Sequence, residues 1–534
     1  MVGIIVSLKK LEKKLGLPAG ELSDELFKIK CTVDSIEGDE VKIDVTSDRP
    51  DLLSLEGILR YLNGINGKSK GIPELKISLS KEKLIIDSSL KKIRPIVVAA
   101  LVDCELNDEE FESLIQIQEK LTLTHGRRRK KVAVGVHDAS KIKFPITYTT
   151  GKPSEKFVPL KEEKEMSLER VLLDTEKGRE YAFILEGLKE YPVIRDADGK
   201  IISFPPILNS AVTTVTAKTR KLLVELTGTD FDACNSALAI MLQDFSDKGW
   251  KIHSIQGGGF KNEPKKMVVA VEKVSKTLGV SLTQKQLISL LEKARLGIVA
   301  KGTTEVIVSI PVYRTDFLHW IDVAEEAAIA FGLNELRPVT PRVFTVGSLS
   351  EETLLEDKVQ DLLVGFGFTE VSTHVLTSPE KNALAFSEKQ LIKIKNPVSS
   401  DFNALRGTLL PSLMQVLSRN THLSYPQKLF EIGEVVTHEA KREQRALTKT
   451  NLCVIDCSAS SNLSNLASIL PCLFKDFVLR PFKSKQFIEG RAAEVIVKGE
   501  VVGVMGEASP ELLSNYGVQM PASILEVIVF KDRK

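Results

Sequence analysis

The sequence is poor in cysteine and in aromatic residues, and it lacks any long apolar run. Aromatic residues make up 6% of the 534 residues, and there are six cysteines with no C-x-x-C pair among them. That number and spacing do not suggest a disulfide framework and favour reduced thiols in an intracellular protein. The longest obvious apolar run, 95–102, has the length of a strand, whereas a membrane helix needs ~18–20 apolar residues. The N-terminus is also unlike a signal peptide, so we expect a cytoplasmic protein with no membrane contact.

An excess of one charge is absent as well. Lys and Arg total 73 and Asp and Glu total 71, which gives a formal net charge of +2. Any surface for nucleic acid must therefore be a local patch. Five consecutive cations, Arg127 to Lys131, form such a patch between a predicted helix and a predicted strand. They indicate either phosphate contacts or a solvated turn that keeps a strand edge soluble.

The common catalytic signatures are missing. The sequence contains no G-x-x-x-x-G-K-[ST] and no H-E-x-x-H motif, which argues against a P-loop and a zinc protease of the usual kind. None of the seven histidines stands at metal-ligand spacing with another. The chemistry must therefore come from a less common arrangement of residues.

The chain is predicted to be a folded α+β protein of several domains. At roughly 150 residues per domain, its length suggests about three or four. The candidate caps Ser7, Asn107 and Asp230 each precede a helical pattern, and 37–40 is the turn of a predicted β-hairpin. The lysine-rich segment 68–83 is predicted to be a linker. In the last third, strands alternate with helices, which favours an antiparallel sheet backed by helices.

Four carboxylates are grouped around one predicted helix over about 317–331. At 100° per residue, Asp322, Glu325 and Glu326 fall on one face of this helix, and Asp316 lies where it begins. Carboxylates this close repel one another unless a cation is present, and oxygen ligands suit Mg²⁺. A solvated acidic face that favours the helix N-terminus explains the same pattern.

A second polar constellation precedes the helix that follows Asp230. The sequence TGTD at 227–230 presents hydroxyls, free N–H groups and the positive end of a helix dipole at one point. Such a point can hold an anion or a developing oxyanion. With Asn209, Ser210 and Glu225 it would form a small polar pocket. A capped helix start with turn-forming residues is the simpler interpretation.

Seven segments occur in an order that is specific as a set, although each is weak alone. They are SDRPDL at 47–52, QEKL with HGR in 118–127, PPILNS at 205–210, TGTD at 227–230, the acidic segment 316–332, NP with LRGTLLP in 396–411, and LFEIG at 429–433. In this order they resemble the β subunit of phenylalanyl-tRNA synthetase in its shorter archaeal and eukaryotic form. The resemblance covers essentially the whole chain.

The resemblance implies a class II phenylalanine–tRNA ligase in which two α and two β chains form a tetramer that joins phenylalanine to tRNA(Phe) using ATP. In the family ATP and phenylalanine bind on the α subunit, so this chain is expected to carry no adenylation residue. By the same resemblance its regions are an N-terminal α+β domain (1–88), an editing domain of the B3/B4 type (89–262), a winged-helix-like domain of the B5 type (263–342) and a degenerate class II synthetase catalytic-like module (343–534).

An editing site has a physical reason. A pocket shaped for phenylalanine discriminates against tyrosine, which adds only a hydroxyl, by about 10², whereas translation needs about 10⁴, so a second site must hydrolyse tyrosyl-tRNA(Phe). The resemblance gives Ser210, Glu225 and Thr227 as its catalytic residues and Leu208 and Asn209 as substrate-binding residues. Glu225 is the expected acceptor for the phenol, and Thr227 or Ser210 would orient water or polarise the ester. Because this stretch contains no histidine, hydrolysis is expected to rely on positioned water and a group of the tRNA.

The family also supplies carboxylates at the spacing of Asp316, Asp322, Glu325 and Glu326 to a Mg²⁺ shared with the α subunit. Two other interpretations of the chain remain open. One is a purely structural or tRNA-binding subunit whose editing pocket is inactive. The other is a free-standing tRNA-binding or regulatory protein that uses the winged-helix-like region.

Overall fold

The computed structural model describes residues 2–387 and 390–530. The chain forms two compact units, residues 1–340 and 341–534. Both combine helices with sheets, so the chain is a multidomain α+β protein. The predicted domain borders at 88 and 262 lie inside the first unit and stay predictions.

The first unit contains 17 described strands and ten described α-helices. The strands are β1 (Val2–Ser7), β2 (Thr32–Glu37), β3 (Glu40–Val45), β4 (Ile77–Ile86), β5 (Ile96–Asp103), β6 (Val132–Asp138), β7 (Ile146–Gly151), β8 (Lys156–Phe157), β9 (Met166–Ser167), β10 (Tyr191–Arg195), β11 (Ile201–Phe204), β12 (Leu208–Asn209), β13 (Lys221–Gly228), β14 (Lys251–Gln256), β15 (Lys265–Ala270), β16 (Gly297–Lys301) and β17 (Glu305–Ile310). The helices are α1 (Leu8–Leu15), α2 (Ala19–Phe27), α3 (Leu55–Ile65), α4 (Asp108–Leu123), α5 (Leu168–Asp174), α6 (Glu176–Tyr181), α7 (Phe231–Asp247), α8 (Val271–Leu278), α9 (Gln284–Lys293) and α10 (Trp320–Phe331).

A nine-stranded sheet is the centre of the first unit. Its strand order is β12-β11-β10-β7-β4-β14-β5-β13-β6, and β4 is parallel to both of its neighbours while the other pairs are antiparallel. Smaller antiparallel sheets, β1-β3-β2, β15-β17-β16 and the pair β8-β9, complete the unit. On β13, Val224 and Leu226 pack in the same core cluster as α7. Alternation along the strand therefore turns Glu225 and Thr227 to the opposite face.

The structure confirms the predicted helix starts. Each capping side chain accepts a hydrogen bond from the N–H group three residues later. The Ser7 hydroxyl accepts from the Lys10 N–H at 3.2 Å, and the Asn107 amide oxygen accepts from the Glu110 N–H at 2.8 Å. The hairpin over 37–40 is also confirmed by the pairing of β2 with β3. Capping and tight turns depend on neighbours in sequence, which is why they were readable.

The prediction of a linker over 68–83 is wrong. β4 begins at Ile77 and pairs in parallel with β14, more than 150 residues later, and with β7. Only Leu84 of β4 is fully buried, so the strand has almost no apolar alternation to reveal it. Parallel pairing depends on distant partners, which a local pattern does not contain.

The second unit is built on a seven-stranded sheet. Its order is β18-β22-β23-β27-β26-β25-β24, and every pair except β18-β22 is antiparallel. Its strands are β18 (Thr369–Glu370), β19 (Leu376–Thr377), β20 (Ile392–Lys393), β21 (Ala404–Leu405), β22 (Gln427–His438), β23 (Ala446–Cys457), β24 (Val478–Pro481), β25 (Phe487–Val497), β26 (Glu500–Ala508) and β27 (Ala522–Phe530). Its helices are α11 (Glu351–Gly365), α12 (Pro379–Leu384), α13 (Leu410–Arg419), α14 (Leu463–Ala467), α15 (Leu470–Leu473) and α16 (Pro510–Asn515).

Two core clusters lie against this sheet, one with Leu413 of α13 and one with Leu363 of α11, so helices back an antiparallel sheet as predicted. β19, β20 and β21 form a separate small sheet. Throughout the described residues, no helix combines the length and the apolar content that crossing a bilayer requires.

Candidate functional site

A cavity of about 300 Å³ lies beside β6 and β13 in the first unit, and we call it the β6–β13 cavity. Four of the five predicted editing-site residues line it: Leu208, Asn209, Glu225 and Thr227. Leu208 and Asn209 lie on β12, the first strand in the order of the nine-stranded sheet, whereas Glu225 and Thr227 lie on β13, the last strand but one. The prediction therefore brought together residues that the tertiary structure places around one space.

Glu225 is a buried carboxylate that its surroundings satisfy only in part. Its side chain is 3% exposed. The Oε1 atom accepts from the Ser203 hydroxyl at 3.0 Å and lies 3.7 Å from Nε2 of His137. The Oε2 atom has no hydrogen-bond partner among the described residues. A buried acceptor without a donor costs free energy unless a ligand or water supplies one.

His137 is a neighbour that the sequence did not reveal. The expectation that no histidine takes part considered only the stretch around 205–227. His137 comes from β6, where it pairs with Leu223 of β13 and lies fully buried. Its Nδ1 is 2.8 Å from the Thr213 hydroxyl, and its Nε2, on the side of Glu225, has no hydrogen-bond partner in the described part of the chain. The cross-strand register, and not the local sequence, makes this contact.

Gly135 provides the space for Glu225. The two residues pair directly across β6 and β13. A Cβ atom on Gly135 would lie 2.2 Å from Oε1 of Glu225 and 3.1 Å from Nε2 of His137. Atoms cannot approach that closely, so any side chain at 135 displaces the carboxylate.

Thr227 is oriented by a buried arginine. Arg94 donates from Nε to the Thr227 hydroxyl oxygen at 3.0 Å and from Nη2 to the Thr227 carbonyl at 2.6 Å. Within the part of the chain that the structure describes, no carboxylate pairs with Arg94, and burial lowers the pKa of its guanidinium. Because the Thr227 oxygen already accepts from Arg94, its O–H is available to donate into the cavity that Thr227 lines.

The basic segment 127–131 divides into exposed residues and a half-buried arginine. Arg127, Arg128 and Arg129 have φ values of 49°, 52° and 65°, so the backbone makes a left-handed turn. This conformation is costly for residues other than glycine. Arg127 and Arg128 are exposed as predicted. Arg129 instead lines the cavity, where its guanidinium lies 4.2 Å from the ring centre of Tyr181 and donates to the Ile207 carbonyl at 2.6 Å.

Ser210 does not line the cavity. It is 1% exposed, its hydroxyl donates to the Val158 carbonyl at 3.2 Å, and its oxygen accepts from the Val212 N–H at 3.3 Å. These contacts cap a short 3₁₀ turn at 211–213. The placement of Ser210 therefore does not support the editing role predicted for it, whereas the neighbouring Ser203, which was not predicted, contacts Glu225.

The helix start after TGTD is a structural cap. The Asp230 carboxylate accepts from the Ala233 N–H at 2.9 Å and lies 3.2 Å from Nζ of Lys131. The end of α7 that would attract an anion is thus already occupied by a carboxylate of the chain. The simpler interpretation of this segment is confirmed, and only Thr227 within it faces the cavity.

Two of the four carboxylates predicted to bind Mg²⁺ are bound by arginine. Both oxygens of Asp316 accept from Arg314, at 2.9 and 2.6 Å. Glu326 is 2% exposed and accepts from Arg314 at 2.7 Å, from the Tyr61 hydroxyl at 2.6 Å and from Arg49 at 3.4 Å. The guanidinium groups occupy the position that a cation would need, so Asp316 and Glu326 do not fit a Mg²⁺ site in this chain.

The other two carboxylates lie nearer the surface. Oδ2 of Asp322 accepts from the N–H groups of Leu318 and His319 at 2.7 and 2.6 Å, which caps α10. Glu325, whose side chain is 52% exposed, pairs with Lys30 at 2.9 Å. Across the described residues there is no group of three or more Asp, Glu, His or Cys side chains that could hold a metal ion. Asp322 and Glu325 would need ligands from outside this chain.

Comparisons with known proteins agree in every part of the chain. Residues 99–239 match the B3/4 domain, residues 267–333 the tRNA synthetase B5 domain, and residues 336–529 the phenylalanyl tRNA synthetase beta chain CLM domain. The phenylalanine–tRNA ligase beta subunit of Korarchaeum cryptofilum is 38% identical over 526 residues, which cover 95% of this chain and 94% of that protein. The chain belongs to the phenylalanine–tRNA ligase beta subunit family.

Further similarities agree with this family. The beta subunit of Thermococcus gammatolerans is 35% identical over 556 residues, covering 98% of each chain. A crystal structure of an N-terminal fragment of the phenylalanyl-tRNA synthetase beta subunit from Pyrococcus horikoshii matches 62% of this chain and 99% of the fragment, with 33% identity and a TM-score of 0.59. The β6–β13 cavity lies within the B3/4 match, and the carboxylates around α10 lie within the B5 match.

Proposed function

We propose that this beta subunit of phenylalanine–tRNA ligase hydrolyses mischarged tyrosyl-tRNA(Phe) in the β6–β13 cavity. The observation that carries the proposal is the unpartnered Oε2 atom of Glu225, a buried acceptor in a residue that lines the cavity. The phenol O–H of a tyrosyl group would donate to this atom. Phenylalanine has no such donor and would leave the carboxylate unsatisfied, which is the asymmetry that rejects an analogue lacking a hydroxyl.

The size and lining of the cavity support one amino-acid side chain as its occupant. Its volume of about 300 Å³ is at the lower end for small-molecule sites. Pro206, Ile207 and Leu208 give an apolar wall for an aromatic ring, while Glu225 and Thr227 supply the polar groups. The carboxylate thus selects the substrate, and the apolar wall holds the ring.

Thr227 is the group best prepared to act on the ester. Arg94 fixes its oxygen as an acceptor, so its O–H can donate to the ester carbonyl or to the attacking water. Water adds to the carbonyl carbon, the bond to the ribose oxygen breaks, and the released ribose oxygen takes the proton that the attacking water loses. Thr227 orients this step, and Arg94 is a positioning residue.

The exposed cations next to the cavity support contact with the tRNA. Arg127 and Arg128 are exposed on the left-handed turn, while Arg129 of the same turn reaches the cavity. A phosphate backbone that delivers the charged end of a tRNA would meet these side chains first. Such contacts are independent of sequence and weaken with salt.

The remaining family properties are part of the same proposal. The chain would assemble with α subunits as an α2β2 tetramer, with ATP and phenylalanine bound on α. The second unit would be a degenerate class II synthetase module that serves packing, and residues 263–342 a winged-helix-like domain. In support, Glu431 of the LFEIG segment is buried and pairs with Arg406 at 2.8 Å, so it is committed to the unit's own interior. A Mg²⁺ shared with α stays a prediction that Asp322 and Glu325 alone do not satisfy.

The test is a deacylation assay on the chain assembled with a phenylalanine–tRNA ligase α subunit. Replacing Glu225 by alanine (Glu225→Ala) is expected to slow tyrosyl-tRNA clearance by about 100-fold or more while phenylalanylation persists. Glu163→Ala, at an exposed glutamate of the same region, is the matched control. Undiminished clearance in Glu225→Ala would refute the assignment. If the unmodified tetramer clears no tyrosyl-tRNA, the alternative of a structural subunit with an inactive pocket holds.

A further inference from the structure

A second polar cavity, of about 520 Å³, lies in the first unit at residues different from those of the β6–β13 cavity. We call it the junction cavity. It is lined by residues of α1, α3 and α4, by the end of α7 with the residues that follow it, and by the segment after α9. Five cations face it: Lys10, Lys14, Arg60, Lys248 and Arg295. Four carboxylates line it as well: Glu56, Glu105, Glu110 and Asp247. Because charges taken out of water need partners, a buried cation that none of these carboxylates pairs with is informative.

Three of the five cations have carboxylate partners within the chain. Lys10 pairs with Glu110 at 2.9 Å, and Lys248 pairs with Glu56 at 3.5 Å. Arg60 pairs with Asp244 at 3.1 Å and with Asp247 at 2.5 Å, and both ion pairs use its Nη1 atom. Its Nη2 atom is buried and has no hydrogen-bond partner within residues 2–387 and 390–530.

Arg295 has no such partner. It is 9% exposed, and among the described residues no carboxylate lies within ion-pair distance of its guanidinium. Its Nε atom is buried, and no described residue forms a hydrogen bond with it. Burial lowers the pKa of Arg295, and the charge of Arg60 also lowers it, whereas Tyr313 and Asp247 act in the opposite direction. Arg60 and Arg295 thus line one cavity, and each has a buried donor nitrogen without a hydrogen-bond partner among the described residues.

The fold makes room for Arg295 in this position. Its backbone φ is +63°, a left-handed conformation that is unfavourable for an arginine. Gly64 of α3 lies against it, and a Cβ atom there would be 2.6 Å from Cδ of Arg295 and 2.2 Å from the Lys293 carbonyl oxygen. Gly64 leaves space beside α3 for the Arg295 side chain, and the left-handed backbone of Arg295 directs that side chain to the cavity.

We propose that the junction cavity binds a phosphate group between the guanidinium groups of Arg60 and Arg295. Arginine donors match the oxygens of a phosphate in fork geometry, and one phosphate can accept from the free donors of both side chains while it balances the charge of Arg295. Lys14, exposed at the same cavity, adds attraction for an anion. The phosphate is carried either by a nucleotide or by an RNA strand.

The first arm of the test is calorimetric titration of the full chain with inorganic phosphate. Saturable binding of one phosphate per chain is expected, and Arg295→Met is expected to weaken it at least about tenfold, because charge-assisted hydrogen bonds to the anion are lost. Arg337→Met, at an exposed arginine outside the cavity, should leave binding unchanged. No saturable binding, or equal binding by Arg295→Met, overturns the proposal.

The second arm identifies the source of the phosphate and guards against misfolding. Displacement of bound phosphate by adenosine monophosphate supports a nucleotide, displacement by a tRNA transcript alone supports an RNA strand, and displacement by neither overturns the proposal. If Arg295→Met does not fold by circular dichroism, Arg295→Lys takes its place, since lysine keeps the charge but lacks the fork. Unchanged phosphate affinity in a folded Arg295→Lys chain also counts against the site.

Discussion

Gly135→Ala tests the geometry of the β6–β13 cavity with a single methyl group. The new Cβ would lie 2.2 Å from Oε1 and 2.8 Å from Cδ of Glu225. The carboxylate must therefore leave its place, and its hydrogen bond with the Ser203 hydroxyl, now 3.0 Å long, is broken. The change acts on Glu225 without altering any charged or polar side chain.

The size of the effect follows from these contacts. A hydrogen bond to a charged group contributes about 1.5–3 kcal/mol, and overpacking a buried site costs about 1–3 kcal/mol. We expect Gly135→Ala to lower the free energy of unfolding of the first unit by about 3 kcal/mol. In a Glu225→Ala background the two clashing atoms of Glu225 are absent and only the 3.1 Å approach to Nε2 of His137 remains. The same methyl group should then cost much less, and the two substitutions should couple by about 2 kcal/mol or more.

Tryptophan fluorescence is the assay, because both tryptophans of the chain, Trp250 and Trp320, lie in the first unit. Urea unfolding of the two single variants and the double variant gives the coupling free energy. Gly20→Ala is the control, since a Cβ atom at Gly20 meets no other atom within 4 Å. Additive effects of Gly135→Ala and Glu225→Ala, within about 0.5 kcal/mol, would refute the packing described for this cavity.

Two further predictions use the same assay. Burial raises the pKa of Asp244 to about 7 despite the Arg60 charge beside it. The folded chain therefore holds a proton that the unfolded chain releases near pH 4, and the free energy of unfolding should fall by up to about 4 kcal/mol as the pH rises from about 4 to 7. The reasoning fails if Asp244→Asn shows the same pH profile as the unmodified chain. Arg94→Met removes the donors that bind the Thr227 hydroxyl, the Thr227 carbonyl and the Arg129 carbonyl. We expect it to lower the free energy of unfolding by about 3 kcal/mol, and Arg94→Lys to lower it less. A change below about 0.5 kcal/mol in Arg94→Met would contradict the role given to Arg94.

Features that depend on near neighbours were readable from the sequence alone. Ser7 and Asn107 cap helices through atoms three residues away, and the turn at 37–40 joins adjacent strands. The antiparallel sheet backed by helices in the second unit was also predicted, from the alternation of strand and helix patterns in the last third of the chain. The family was recognisable because the order of several weak motifs is itself a sequence property.

Contacts between distant segments were decided by the tertiary structure. β4 is a strand because β7 and β14 pair with it, and His137 lies beside Glu225 because β6 and β13 are in that register. The helical wheel showed four carboxylates near one helix, but it could not show that Arg314 and Arg49 reach Glu326. Residue types and spacing determine which groups a segment offers, whereas the partner that satisfies each buried charge depends on which distant segments fold against it.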